Sequence, residues 1–381
     1  GVFQPVTGPG PGGESGISFS GSWADYDNDG DLDLFVANGG WEQARTNFLY
    51  RNNGDGTFTK VTDGDIVVDR FGSMYGAWGD YDNDGFLDLF VSHSSIVSVD
   101  YYASTAKNSL YHNNGDGTFT KVTSGSLVND LGCSLGSAWG DYDNDGFLDL
   151  YVTNFGSRVN DLFHNNGNTN SWIIINCIGT FSNRSAIGAK VRLRATIRGR
   201  TTWQMREISG GGGYTSQNDL RAHFGLGDAT NADLIRIEWP SGVVQELRDV
   251  AARQVLAVQE SNADIFPAQA DVSLGRALSL SVTNVPPDSA LQWRLNGVDI
   301  AGATNATLEF NNATTNLNGH YTVVVSNATG SVFPRPAVVR VFDRPIITSQ
   351  PSSTNVLVGV NVTLSAAAIS ASPISYQWQF N

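Results

Sequence analysis

The strongest constraint on this chain is a motif that occurs three times: WADYDNDGDLDLFVAN from Trp23, WGDYDNDGFLDLFVSH from Trp78 and WGDYDNDGFLDLYVTN from Trp139, spaced 55 and 61 residues apart. A second signature follows each copy: NFLYRNNGDGTFTKVT from Asn47, NSLYHNNGDGTFTKVT from Asn108, and the shorter DLFHNNGNTNSW from Asp161. Repetition at such a period marks a unit that cannot bury its faces alone and stacks on its neighbours. Within a unit, a polar Asp loop runs into an apolar stretch (Leu87, Leu89, Val91), then Leu110 and Tyr111, a tight NNGDG turn, and Phe119 and Val122. That pattern predicts four short strands, the blade of a β-propeller.

The core of each copy is D-x-D-x-D-G-x-x-D: Asp25, Asp27, Asp29, Gly30 and Asp33; Asp80, Asp82, Asp84, Gly85 and Asp88; Asp141, Asp143, Asp145, Gly146 and Asp149. Carboxylates at alternate positions of a tight loop converge on one point, the glycine permits the sharp turn, and the carbonyl two residues past the third Asp adds a ligand. Hard oxygen donors in that number suit Ca²⁺. The first six positions resemble an EF-hand loop, but Val36, Val91 and Val152 stand where its bidentate Glu belongs, and the flanks read as strands. The pattern is therefore a β-hairpin calcium loop, with about three sites in the chain. A catalytic carboxylate pair fits poorly, because an active site is unique and these clusters recur; no catalytic residue is assigned and the chain is read as no enzyme. Asp55 and Asp116, in the NNGDG turns, are lesser candidates for a further cation site. Trp23, Trp78 and Trp139 read as packing residues in preference to sugar platforms.

Charge supports this division. Residues 1–170 hold 7 Lys or Arg against 23 Asp or Glu, residues 171–261 hold 11 against 8, and the remainder 5 against 6, so the net charge of −14 sits almost wholly in the first section. An acidic surface of this kind repels nucleic acid and anionic lipid and suits cations or basic partners. Three bound Ca²⁺ would bring the formal charge from −14 to −8. No run of 18 apolar residues is present, so no membrane-spanning segment is expected. Cys133 and Cys177 form no framework and read as two buried thiols, with a single bridge between them as the alternative.

The three repeats resemble the FG-GAP/VCBS repeats of integrin-α-type propellers over roughly residues 1–168. The resemblance implies a calcium-stabilised propeller of about seven blades, with the metal in hairpin loops. Its ligands would be the Asp side chains at loop positions 1, 3, 5 and 9 and the carbonyl at position 7. Here that means Asp25, Asp27, Asp29, Asp33 and the carbonyl of Asp31; Asp80, Asp82, Asp84, Asp88 and that of Phe86; Asp141, Asp143, Asp145, Asp149 and that of Phe147.

Residues 171–261 change character. WIIINCIG, AKVRLRATI, TTWQMREI, ADLIRIEWP and RQVLAVQE read as strands, and Lys190 to Ala195 alternate as on a half-buried one. With NRSAIGAKV, GGGGYTSQ, HFGLG and WPSG, this section resembles the ASPIC/UnbV domain, which in that family follows such repeats and carries no established catalytic role. The glycine run lacks the strand-to-helix context of a nucleotide loop. His223 reads as structural, and its closeness in sequence to Ser216 and Asp219 makes no triad.

Residues 262–342 read as an immunoglobulin-like sandwich built around Trp293 and a tyrosine corner at Tyr321, with Leu280 and Val323 where bridging cysteines usually stand. Residues 343–381 begin a second copy. The opening GVFQPVT matches Gly56 to Thr62, and SYQWQFN stops where ALQWRLNG continues, so both ends read as truncations. The expected fold class is all-β: a partial propeller of about three blades, an ASPIC/UnbV module and Ig-like sandwiches. The expected role is a secreted or cell-surface calcium-binding scaffold for adhesion to an extracellular protein or glycan. Two rivals stand beside it: a glycan-binding or polysaccharide-degrading component whose active site lies elsewhere, and a spacer with no ligand but calcium.

Overall fold

The computed structural model describes residues 3–4, 10–39, 44–94, 106–156, 158–212, 216–343, 345–370 and 373–379. Most of GVFQPVT, residues 213–215 of the glycine run and the last two residues of SYQWQFN lie outside them. Regular structure among the described residues is almost entirely strand, with two four-residue helical turns and one 3-10 turn. It divides into two compact units, Gly1–Glu260 and Ser261–Asn381.

In the first unit each repeat is a separate antiparallel sheet. Repeat one orders Ser18–Ala24, Asp33–Asn38, Phe48–Asn52 and Phe58–Lys60 side by side; repeat two does the same with Ser73–Gly79, Asp88–His93, Ser109–Asn113 and Phe119–Val122. Repeat three has only three strands, Ser134–Gly140, Asp149–Asn154 and Asp161–Phe163. Its second signature has lost the GTFTKVT segment that forms the fourth strand in the other two, and the chain leaves at Ser171 for the next module.

The repeats stack because the central strand Asp88–His93 carries apolar side chains on both faces. Leu89 and Val91 pack towards repeat one with Tyr26, Phe35 and Leu49, while Phe90 packs towards repeat three with Trp139, Leu150 and Val152. Trp78 lies parallel to Tyr26 at 5.9 Å and edge-on to Phe35 at 6.4 Å. Trp139 meets Phe90 at 6.4 Å and donates its indole N–H to the Ala77 carbonyl at 3.1 Å. These tryptophans come close because glycine faces them: a Cβ on Gly79 would fall 2.8 Å from the Trp139 ring. Trp78 and Trp139 are thus interlocking residues between sheets. Trp23 is 55% exposed, since no repeat precedes it among the described residues.

The module that follows contains two sheets. Ser171–Ile178 lies between antiparallel Ala222–Gly227 and parallel Gln254–Gln259, and Lys190–Ile197 lies between Arg200–Glu207 and Asn231–Glu238, which pairs with Val244–Ala251. Alternation along Lys190–Ile197 buries Val191, Leu193 and Ala195 completely. Cys133 and Cys177 are buried free thiols. Glu260 staples the module shut. Its carboxylate accepts backbone N–H bonds from Thr180 and Ser182 at 2.8 Å each and hydroxyl bonds from Ser182 and Ser241.

In the second unit, Asp264–Phe266, Leu278–Thr283 and Thr307–Phe310 form one sheet. The other sheet includes Ala290–Leu295, Gly319–Asn327 and Ala337–Phe342. Trp293, Leu280, Tyr321 and Val323 fill the space between with no exposed surface. The Tyr321 hydroxyl donates to the Leu317 carbonyl at 3.0 Å, closing a tyrosine corner. The following segment contributes one short pair, Ile346–Ser349 with Ala367–Ile369, and leaves Leu357, Val358 and Trp378 exposed.

Burial raises the pKa of Glu260, but the bonds from Ser241, Ser182 and Thr180 outweigh it and hold the group below the ordinary 4.5. A depressed folded-state value gives stability that is present above pH 4.5 and is lost as the pH falls through the folded value. Glu260→Gln should therefore destabilise the chain near neutrality, by about 1.5 to 3 kcal/mol for charged hydrogen bonds. The difference from wild type should shrink on acidification, as read from denaturant unfolding at a series of pH values.

Candidate metal centre

Each Asp loop is the turn of the hairpin between a repeat's first two strands, and its shape follows from the motif. The fourth-position asparagines Asn28, Asn83 and Asn144 have φ of 60°, 60° and 61°, and Gly30, Gly85 and Gly146 have 98°, 100° and 91°. Asn and Gly tolerate this left-handed region best. The curl aims backbone N–H groups at the carboxylates. Gly30, Gly85 and Gly146 donate to Oδ2 of Asp25, Asp80 and Asp141 at 3.2, 3.0 and 3.0 Å. Asp31, Phe86 and Phe147, at the seventh position, donate to Oδ1 of Asp29, Asp84 and Asp145 at 2.9, 3.0 and 2.9 Å.

The ninth-position carboxylates tie the loop to the rest of the repeat. Asp33, Asp88 and Asp149 accept from the N–H of Tyr26, Tyr81 and Tyr142 at 3.2, 3.2 and 3.3 Å. Their other oxygens accept from the N–H of Asn52, Asn113 and Asn165 at 2.7, 2.8 and 2.8 Å.

The structure brings the first, third and fifth positions together in all three loops. Asp25, Asp27 and Asp29 form one group, Asp80, Asp82 and Asp84 a second, and Asp141, Asp143 and Asp145 a third; within each, one ligand oxygen per residue lies within 4.8 Å of the others. The ninth position groups differently: Asp88 meets Asp82 and His112, and Asp149 meets Asp143 and His164. His112 Nδ1 is 3.3 Å from Asp82 and 3.2 Å from Asp88; His164 Nδ1 is 3.1 Å from Asp149 and 3.6 Å from Asp143. Sequence reasoning missed these histidines. The signal was the residue before NNG, which is His in copies two and three and Arg51 in copy one.

Asp55 and Asp116 belong to no such group among the described residues. Each spends Oδ1 on the N–H and hydroxyl of the threonine two residues on, Thr57 or Thr118.

The loops are electrostatically costly as they stand. Burial pushes Asp25 up to about 6, and burial together with Asp27 and Asp29 pushes Asp33 up to about 8. Burial, then Asp88, Asp84 and Asp82, drives Asp80 well above the usual carboxylate range. Burial also raises Asp84 to about 6 and Asp88 to about 7. Donation from its Nδ1–H to the Asp88 carboxylate lifts His112 to about 9, making it a built-in counter-charge like Arg51. Asp25 Oδ1 is buried with no hydrogen-bond partner. An oxygen in that state is one a cation would satisfy, and the donors are all the hard oxygens that Ca²⁺ prefers, so the residues fit that ion.

The loops are also linked to one another. Asn28 donates across to the Gly85 carbonyl at 2.9 Å, and Asn83 to the Gly146 carbonyl at 3.0 Å. Asn113 donates to Tyr26 and Leu87 carbonyls at 2.8 and 3.0 Å, and Asn165 to those of Tyr81 and Leu148 at 2.8 and 3.1 Å. Beside the loops lies a cavity of about 730 Å³, lined in part by Trp23, Trp78, Trp139, Arg206 and Arg221. Arg206 lies over the Phe224 ring at 5.0 Å, and its charge acts on both Asp25 and Asp80. His223 donates Nε2–H to the Gly146 carbonyl at 3.1 Å, and Asp219 pairs with Arg221 at 2.6 Å; in both cases the side chain serves docking.

Sheets of this kind, joined by Asp-loop hairpins and followed by a two-sheet β module, define a repeat protein of a known type. The model for the FG-GAP-like repeat matches residues 25–91 and 96–152, and that for ASPIC and UnbV matches residues 179–265: the chain carries FG-GAP-like repeats followed by an ASPIC/UnbV domain. It is similar to Cartilage acidic protein 1. Identity is 29% over 251 residues with the Homo sapiens protein, covering 62% of this chain and 35% of that one. It is 28% over 251 residues with the Mus musculus protein, covering 62% and 36%, and 27% over 278 residues with the Xenopus tropicalis protein, covering 68% and 39%. The chain thus spans little more than a third of the length of these relatives. Among solved structures, the N-terminal four Ig domains of Dscam1 isoform 8.4 align with 82% of this chain and 80% of theirs at 13% identity and a TM-score of 0.20. That score is too low to bear on architecture.

Asn113→Ala removes two buried bonds, one across to repeat one and one within repeat two, and leaves the Tyr26 and Leu87 carbonyls unpaired, so it should cost about 2 to 3 kcal/mol. Asn52→Ala, whose side chain donates only within its own repeat to the Leu32 carbonyl, should cost about 1 kcal/mol. Denaturant unfolding in the presence of a chelator measures both.

Proposed function

We propose that this chain is part of a secreted, non-catalytic calcium-binding scaffold. Three Ca²⁺ held in the Asp loops would stiffen the repeats, which with the ASPIC/UnbV domain and the Ig-like sandwich present an adhesive surface to an extracellular protein or glycan. The ligands would be Asp25, Asp27, Asp29 and Asp33, Asp80, Asp82, Asp84 and Asp88, and Asp141, Asp143, Asp145 and Asp149, with the carbonyls of Asp31, Phe86 and Phe147. One observation carries the reading: the same carboxylate convergence is built three times from the same backbone bonds, with the Asp25 oxygen left unsatisfied.

The chemistry of the bound ion is charge neutralisation and oxygen coordination. Residues of the chain do the rest: Gly and Asn shape the turn, backbone N–H groups orient the carboxylates, and the asparagine links carry order from one loop to the next. Repetition argues for a structural role, since three equivalent centres have no single substrate position. Among the described residues no helix is long and apolar enough to cross a membrane. The extracellular reading draws support from the relatives' name, Cartilage acidic protein 1, and from the millimolar calcium that weak sites of this kind require.

Calorimetric titration of the chelator-stripped chain should show three Ca²⁺ bound with dissociation constants of roughly 10⁻⁴ to 10⁻³ M or tighter. Asp80→Ala with Asp84→Ala should remove one. Calcium should raise unfolding stability by about 2.7 kcal/mol per site at a hundredfold excess over the dissociation constant. A folded chain that takes up no calcium would refute the proposal. Calcium-dependent capture on a glycan or matrix-protein array tests the adhesive role, and binding unaffected by calcium removal would count against it.

A further inference from the structure

Two of the three loops are touched by the ASPIC/UnbV domain at the groups that shape their ligands. The strand Ala222–Gly227 lies along loop two: Gly227 N–H donates to the Asn83 carbonyl at 2.8 Å, and Gly225 N–H donates to Asp80 Oδ2 at 3.1 Å. With Gly85 N–H on the same oxygen and Asp84 N–H on the other at 3.0 Å each, the Asp80 carboxylate cannot rotate. The approach demands glycine, because a Cβ at position 225 would fall 2.1 Å from Asp80 Oδ2 and 2.5 Å from the Asn83 backbone. Gln204 holds the strand in place through the Gly225 carbonyl at 2.7 Å.

Loop three is held by side chains. Arg221 donates to the Asp141 carbonyl and to Asn144 Oδ1, both at 2.7 Å, and Asp219 fixes the guanidinium from behind at 2.6 Å. Asn28 and Asn83 each reach the next loop's glycine carbonyl, whereas Asn144 meets Arg221, so the domain stands where a following loop would. Trp172 covers Gly146, where a Cβ would fall 1.7 Å from the indole. Among the described residues, the domain's hydrogen bond to loop one runs from Arg192 to the Gly30 carbonyl at 3.4 Å and engages no carboxylate.

We infer that the ASPIC/UnbV domain is the outer wall of the metal sites in loops two and three, with Gly225 and Arg221 as positioning residues for the cation ligands, and that cation binding tightens the domain onto the repeats. This rests on the calcium reading. Partners that orient metal ligands typically govern affinity by 10- to 100-fold, and the coupling is reciprocal by linkage.

The test uses the full chain with Ca²⁺ as the probe. Arg221→Ala, at a half-buried side chain outside the core, should weaken one of the three sites about tenfold or more while three ions still bind. Placed on an Asp141→Ala, Asp145→Ala background, where loop three is already disabled, it should change nothing. Gly225→Ala should weaken loop two in the same way; if it does not fold, Arg221→Ala alone decides. In hydrogen exchange, amides of residues 222–227 in the wild type should gain protection on calcium addition, and less so in Arg221→Ala. Three ions bound with unaltered affinity in Arg221→Ala, or no calcium-dependent protection of 222–227, would overturn the inference while leaving the calcium reading intact. A folded wild-type chain that binds no calcium would remove both.

Discussion

Crowding four or five carboxylates into a nine-residue turn is the constraint around which the first unit is organised. Burial penalises the charged form and like charges at that spacing add repulsion, which is why Asp33, Asp80 and Asp88 have pKa values well above the ordinary carboxylate range. The fold does not relieve this by spreading the groups apart. Backbone N–H donors at positions five to seven, made available by the left-handed Asn and Gly, hold the oxygens inward. A turn built this way is preorganised for a small hard cation.

The second organising element is the link from one repeat to the next. Apolar contacts such as Trp78 on Tyr26 and Trp139 on Phe90 pack neighbouring repeats together. The asparagine bonds Asn28 to Gly85, Asn83 to Gly146 and Asn113 to Tyr26 set the register at the loop end of the stack. Loop two is flanked by loops one and three and backed by the ASPIC/UnbV strand, and it is the most buried of the three. Loop three leaves Asp143 and Asp145 exposed. The same nine-residue motif therefore sits in three different environments.

Much of this was legible in the residues. The threefold motif announced stacked antiparallel sheets, the alternation in Lys190–Ile197 announced a half-buried strand, and Trp293 with Tyr321 announced a sandwich without cysteines; each is a local period or spacing, which sequence displays directly. The convergence of Asp80, Asp82 and Asp84 was legible for the same reason. His112 and His164 were not, because they lie in or just after a strand more than twenty residues beyond the first aspartate of their loops, and only the strand pairing brings them back to it. The missing fourth strand of repeat three was visible as a shortened signature, but its consequence, a domain docked directly after that repeat, was not.

The sequence by itself determined that this is an all-β repeat protein with acidic hairpin loops, because the turn, its glycine and its carboxylates are all set within nine contiguous residues. Only the tertiary structure decided which loop carboxylates are buried, which asparagines bridge repeats, and that Gly225 and Arg221 lie against the loops. Those are contacts between residues 80 to 145 positions apart, and no local pattern encodes them. Nothing local in HFGLG singles out Gly225; in the fold, its lack of a Cβ lets the domain bring a backbone N–H to Asp80.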